Sequence, residues 1–180
     1  MAVVVLGATL AFAANAISPR GLTLTRNYFP GTTNPAVTAP VQPLIAGLKQ
    51  KGLQWVDEKT ALRLFRDPGF QQQMIVFIDA RDDEQYRNGH IPGACEFNPY
   101  YPEKQLLAVL PICQAATNVI VYCEGGECED SQFAAVMLRD AGIQNQKLSV
   151  LVGGIAEWMT NGWPVETGDR NSGNVRQNRQ

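Results

Sequence analysis

Three five-residue apolar runs constrain this chain most: MIVFI at 74–78, NVIVY at 118–122 and LSVLV at 148–152. Each is nearly continuous rather than alternating, as expected of strands covered on both faces. Shorter strand patterns fall at 53–56 and 95–98, and helical patterns lie between the runs. Asp57 can cap a helix bearing Leu62 and Phe65, and Ser131 can cap one bearing Phe133, Met137, Leu138 and Ala141 that Gly142 closes. A final helix bearing Ile155, Trp158 and Met159 closes at Asn161-Gly162, just before Pro164. Strands alternating with helices predict an α/β fold over residues 52–168. Its expected core is a mainly parallel five-stranded sheet with helices on both faces.

The flanks read differently. Residues 1–18 are hydrophobic, with no charge between residues 2 and 17. As a helix, 2–17 would reach about 24 Å against a hydrocarbon core of about 30 Å. The expectation is a membrane anchor. The alternative is a secretory signal, since Ala14-Asn15-Ala16 has the small-x-small pattern of a cleavage site, although no basic residue precedes it. Arg20, Arg26, Lys49 and Lys51 all follow the segment, which favours a cytoplasmic domain by the positive-inside rule. Cleavage would instead leave an exported, periplasmic domain. Residues 19–51, with Pro19, Pro30, Pro35, Pro40 and Pro43, read as an extended linker, and 169–180 as a polar, disordered tail.

Composition removes several function classes. A net charge of -2 without a basic cluster argues against a nucleic-acid partner. The single histidine, His90, excludes two-histidine metal motifs, and no metal site is expected. Four cysteines are too few for a disulfide-built miniprotein. Chemistry is therefore expected at cysteine.

Ligands of open parallel sheets bind beyond the carboxyl ends of the strands, and Cys123 directly follows NVIVY. The loop Glu124, Gly125, Gly126, Glu127, Cys128, Glu129, Asp130 then leads to a helix near Ser131. Backbone N–H groups and a helix N-terminus aimed at a sulfur lower a thiol pKa and cradle an anion. The competing reading is a cysteine that merely fills the core.

Residues 79–94 (DARDDEQYRNGHIPGA) and residues 152–158 (VGGIAEW), followed by GWPV at 162–165, resemble the two signatures of the rhodanese-like sulfurtransferase family. Cys123 falls at that family's active-site position between them. The resemblance implies sulfur transfer: a Cys123 thiolate accepts a sulfane sulfur as a persulfide, then passes it to a second nucleophile. The expected partners are a small sulfur donor and a protein thiol or persulfide, with backbone donors between Glu124 and Asp130 stabilising the sulfur. No cofactor is implied. Asp79, Arg81 and His90 are expected to support the motif rather than react. Cys95 and Cys113 have no evident chemical context.

The loop departs from the family in two ways. Cys128 stands where the family carries a basic residue, and matching Ser131 to the family's hydroxyl residue lengthens the loop by two. Glu124, Glu127, Glu129 and Asp130 oppose a dianion such as thiosulfate. Four residues, two of them glycine, separate Cys123 from Cys128, close enough for a disulfide. Cys128 is accordingly a candidate resolving thiol, and a redox-sensing or binding module is the alternative function. A second option for Cys128 is simple packing under the loop.

Overall fold

The computed structural model describes residues 41–177 except Glu127. The apolar segment 1–18, most of the linker, Glu127 and the last three residues lie outside the described residues. Five parallel strands form one sheet: β1 (Gln54–Val56), β2 (Ile75–Asp79), β3 (Cys95–Glu96), β4 (Asn118–Tyr122) and β5 (Leu148–Leu151), in the order β1-β5-β4-β2-β3.

Its helices, in chain order, are α1 (Val41–Gln50), α2 (Glu58–Phe65), α3 (Pro68–Gln71), α4 (Asp83–Asn88), α5 (Leu106–Ala115), α6 (Asp130–Asp140) and α7 (Gly154–Thr160). The continuous apolar runs supply two cores because successive strand residues point to opposite faces. Val76, Ile78, Val119, Val121 and Val150 pack with Leu48 of α1, Cys113 of α5 and Leu138 of α6. Ile75, Phe77, Ile120, Tyr122 and Leu151 pack on the other face with Ala61 of α2 and with Ile155 and Trp158 of α7. Trp158 is fully buried between Phe65 (5.3 Å, edge-on) and Trp163 (4.9 Å, edge-on), and its indole N–H donates to the Pro164 carbonyl (2.8 Å).

Asp57 caps α2 as expected, its carboxylate accepting from Thr60 N at 2.8 Å. Ser131 does not cap α6. That helix begins at Asp130 after an N-cap Glu129 that makes no side-chain capping bond, which puts Ser131 in the first turn, 2% exposed. The ordered domain also starts earlier than residue 52. Residues 41–50, counted with the linker, form α1, and Leu48 is buried in the core with Leu44 and Ile45 against it. Helix α5 had no expected counterpart: LLAVLPICQA shows no clean polar face and carries Pro111 inside the helix.

The polar tail is also partly ordered. β6 (Pro164–Glu166) and β7 (Val175–Gln177) pair antiparallel. Their anchor is the Glu166 carboxylate, 2% exposed, which accepts from Gly93 N (2.9 Å), Gly173 N (3.1 Å) and the Ser172 hydroxyl (3.3 Å). His90, fully buried and stacked on Tyr86 at 3.9 Å, places Nε2 3.2 Å from the same carboxylate. A sequence of polar residues thus gains order because one buried carboxylate needs the backbone donors of the tail.

Burial opposes the Glu166 charge, but the backbone N–H donors and His90 outweigh it and hold its pKa below the ordinary 4.5. A depressed carboxylate stabilises the fold fully above its ordinary pKa and loses that contribution as pH falls through the lowered value. Glu166→Gln is expected to cost about 1.5–3 kcal/mol at neutral pH. Thermal unfolding of both proteins from about pH 7 to about pH 3 checks this, with the gap narrowing only below the ordinary Glu range.

Candidate active site

Cys123 lies one residue past the end of β4, 2% exposed. Asp79 ends the neighbouring strand β2 in register with Tyr122, and Ala80 N donates to the Tyr122 carbonyl at 2.8 Å. The residues following two adjacent strand ends therefore meet at the carboxyl end of the sheet, where parallel sheets hold their ligands.

The N-terminus of α7 grips the loop from below. Ile155 N donates to the Cys123 carbonyl (2.9 Å) and Ala156 N to the Glu124 carbonyl (3.1 Å). Glycine is required on both sides of this contact. A Cβ on Gly154 (φ +59°) would sit 2.5 Å from the Cys123 carbonyl oxygen and from Gly125 N. One on Gly125 (φ +105°) would run into the Gly153 carbonyl oxygen. The second signature is thus the floor of the cysteine loop, a role that the pair Gly153-Gly154 signals and that motif matching alone does not explain.

Around the sulfur, the Ser131 hydroxyl and the Cys128 carbonyl oxygen each lie 3.4 Å from Cys123 Sγ. Cys123 and Cys128 are joined as a disulfide, with Cα atoms 6.6 Å apart. Cys128 is only partly buried, and its Sγ lies 3.5 Å from the Asp130 carboxylate, which also accepts from the Tyr100 hydroxyl at 2.8 Å. In this closed loop Cys128 N, one of the donors expected to cradle the sulfur, donates to the Gly125 carbonyl instead (3.3 Å).

A cation reaches the acidic loop from outside it. Arg81 is 6% exposed and grips Asp79 with two bonds, Nε to Oδ1 (3.0 Å) and Nη2 to Oδ2 (2.7 Å). It also donates to the Gly89 carbonyl (2.6 Å) and, through Nη1, to Glu124 (3.3 Å). Burial disfavours the guanidinium charge, but hydrogen bonding and attraction from Asp79 outweigh it and hold the pKa above the ordinary Arg value. The Asp79–Arg81 pair therefore does two things: it fixes the turn after β2 and turns one guanidinium N–H toward Glu124 of a loop that has no Lys or Arg of its own.

The remaining candidates stay apart from the sulfur. The ring nitrogens of His90 meet the Tyr86 carbonyl (2.9 Å) and Glu166 (3.2 Å), a structural position. Cys95 and Cys113 are free, buried core residues. Burial raises both thiol pKa values, that of Cys113 to about 12, which disfavours either as a nucleophile. Among the described residues no cluster of three or more His, Cys, Asp or Glu could hold a metal. A groove of about 550 Å³ lined by Tyr100, Phe133, Met137, Lys51 and Arg139 joins the site through the Tyr100–Asp130 bond, but Cys123 does not line it.

Removing one partner of a buried ion pair leaves the other charge uncompensated. Asp79→Asn is expected to cost about 3–5 kcal/mol, and the double change Asp79→Asn with Arg81→Met to recover part of that loss. Urea unfolding of the single and double variants checks both expectations.

Comparison with known proteins agrees with this geometry. The chain is 32% identical over 94 residues to the HTH-type transcriptional regulator Rv0324 of Mycobacterium tuberculosis, a match covering 52% of this chain and 38% of that protein. It is 38% identical over 58 residues to the tRNA uridine(34) hydroxylase of Buchnera aphidicola, covering 31% of this chain and 19% of that protein. The chain therefore spans well under half the length of these relatives. The BH2092 protein of Bacillus halodurans shares the fold, with a TM-score of 0.51 and 23% identity over 70% of this chain and 85% of its own. The sequence pattern of the rhodanese-like domain matches residues 60–161, so the two signatures, the strand-end cysteine and the five-stranded parallel sheet belong together: this chain is a member of the rhodanese-like domain family.

Proposed function

We propose that the protein transfers sulfane sulfur through a persulfide on Cys123. Family membership supports a sulfurtransferase-type or related function. The observation that carries the finer reading is the setting of Cys123, held at a strand end with the Ser131 hydroxyl 3.4 Å from its sulfur. In the reduced protein that hydroxyl can donate to a thiolate, lowering the cost of the charged nucleophile. The thiolate attacks the outer sulfur of a donor, the donor's S–S bond breaks, and the donor leaves with the bonding pair. An acceptor thiolate then attacks the outer sulfur of the Cys123 persulfide and releases Cys123 as thiolate.

Charge selects the donor. Glu124, Glu129 and Asp130 surround the entrance in sequence, and only Glu124 has a cation, Arg81, within 3.3 Å among the described residues. A dianion such as thiosulfate meets more repulsion here than a singly charged donor or a thiol persulfide. The favoured partners are therefore small persulfides and protein thiols. The uncharged segment at residues 2–17 supports a membrane-tethered placement, with the basic residues after it favouring the cytoplasmic side. Among the described residues no helix is long and apolar enough to cross a membrane, and that segment lies outside them.

A second reading, a redox-sensing or binding module, rests on the Cys123–Cys128 disulfide. Intact-mass analysis separates the two. Reduced protein exposed to an organic persulfide is expected to gain one sulfur that cyanide removes, and Cys123→Ser to gain none. Failure of the reduced wild type to gain sulfur from either thiosulfate or the persulfide favours the sensor. Raising salt from about 0.01 M to about 0.15 M is expected to speed thiosulfate loading several-fold and leave a neutral donor unchanged, because surface charges are then screened. Stopped-time mass measurements at both salt concentrations check that difference.

A further inference from the structure

The two sulfurs of the loop disulfide are not equivalent. Cys123 Sγ belongs to a residue 2% exposed, beside the Ser131 hydroxyl at 3.4 Å and the first turn of α6. Cys128 is partly exposed, and its Sγ has the Asp130 carboxylate at 3.5 Å. In thiol–disulfide exchange the nucleophile takes the accessible sulfur, and the better-stabilised thiolate leaves. Access favours attack on Cys128. Stabilisation favours departure of Cys123, because its sulfur meets a hydroxyl and a neutral carbonyl, both at 3.4 Å, while a full carboxylate charge faces the other at 3.5 Å.

From this asymmetry we infer that the oxidised loop accepts hydrosulfide directly, so that inorganic sulfide serves as the sulfur source. This rests on the persulfide function proposed above and names a donor for it. Hydrosulfide attacks Cys128 Sγ, a new S–S bond forms, the Cys123–Cys128 bond breaks, and Cys123 leaves as thiolate. The sulfide sulfur is oxidised by two electrons to the sulfane level, and the disulfide is reduced by the same two. The Cys123 thiolate then attacks the outer sulfur of the Cys128 hydropersulfide, and the bond from that sulfur to Cys128 breaks. The hydropersulfide proton passes to Cys128, leaving a Cys123 persulfide and a Cys128 thiol.

Cys128 thus loads the sulfur that Cys123 delivers. After delivery to an acceptor thiol, exchange with a low-molecular-weight or protein disulfide restores the Cys123–Cys128 bond. Run backwards, the same steps let Cys128 resolve a Cys123 persulfide and expel sulfide, so sulfide excess sets the direction. Hydrosulfide suits the acidic loop better than thiosulfate does, since it carries one charge and is a single heavy atom.

The test uses the full chain, oxidised and then mixed anaerobically with excess sodium sulfide. Intact mass is expected to rise by one hydrogen sulfide molecule per chain, with cyanide then releasing that sulfur as thiocyanate. Pre-reduced wild type and Cys128→Ser, which cannot close the loop, are expected to take up no sulfur from sulfide. Pre-reduced wild type is nevertheless expected to load from an organic persulfide, and failure of that loading would overturn the persulfide function itself. Rapid alkylation and peptide mapping are expected to find the sulfane sulfur first on Cys128 and later on Cys123. The inference is overturned if oxidised protein stays a disulfide or becomes a dithiol without retaining sulfur, if pre-reduced protein loads equally well, or if sulfur is on Cys123 from the start.

Discussion

The close approach of the cysteine loop to the start of α7 is the contact on which the site depends. Two backbone N–H groups, from Ile155 and Ala156, are used to hold the carbonyls of Cys123 and Glu124, and only glycine at 125 and 154 lets the chains come so near. The bonds work in both directions. They satisfy first-turn donors of α7 that have no partner within the helix, and they fix the backbone at Cys123 and Glu124. The loop and the last signature are in this sense one structural unit, although some thirty residues of chain, about a helix and a strand, separate them.

Electrostatics then decides what kind of chemistry the unit supports. The loop is acidic, yet it is not left entirely to itself, since Arg81 reaches Glu124 from the end of β2 while its other donors hold Asp79 and Gly89. A buried guanidinium that already has a bidentate carboxylate has little net charge to offer an incoming anion. That balance is what the proposed preference for sulfur carried by a thiol, a persulfide or a singly charged ion over a dianion rests on. The disulfide adds oxidising capacity, which a lone strand-end cysteine lacks.

Stability and chemistry are carried by separate buried polar groups. His90 and Glu166 bind the turn before β3 to the β6–β7 pair, and neither contributes a hydrogen bond to Cys123. His90 therefore does not pair with Cys123. Its ring is enclosed by Tyr86 and by acceptors on both nitrogens, which leaves no nitrogen for proton transfer at the sulfur.

Sequence by itself determined the α/β class, the five strands, the Asp57 cap and the place of Cys123, because each rests on local patterns: apolar runs, turn residues and a cysteine at a strand end. It also revealed that Cys123 and Cys128 were near enough to pair. Helix α5 stayed hidden because its apolar residues show no clean polar face and Pro111 interrupts the pattern. The order of α1 and of the tail stayed hidden for another reason: their stability comes from distant partners, Leu48 from the sheet core and β7 from the buried Glu166 carboxylate. Tertiary structure alone decided that Ser131 turns to Cys123 instead of capping a helix, that Arg81 reaches Glu124, and that Cys128 rather than Cys123 is the more exposed residue of the pair. Those are relations among residues far apart in the chain or turned by the packing around them, and no local periodicity records which side chain will be buried against which.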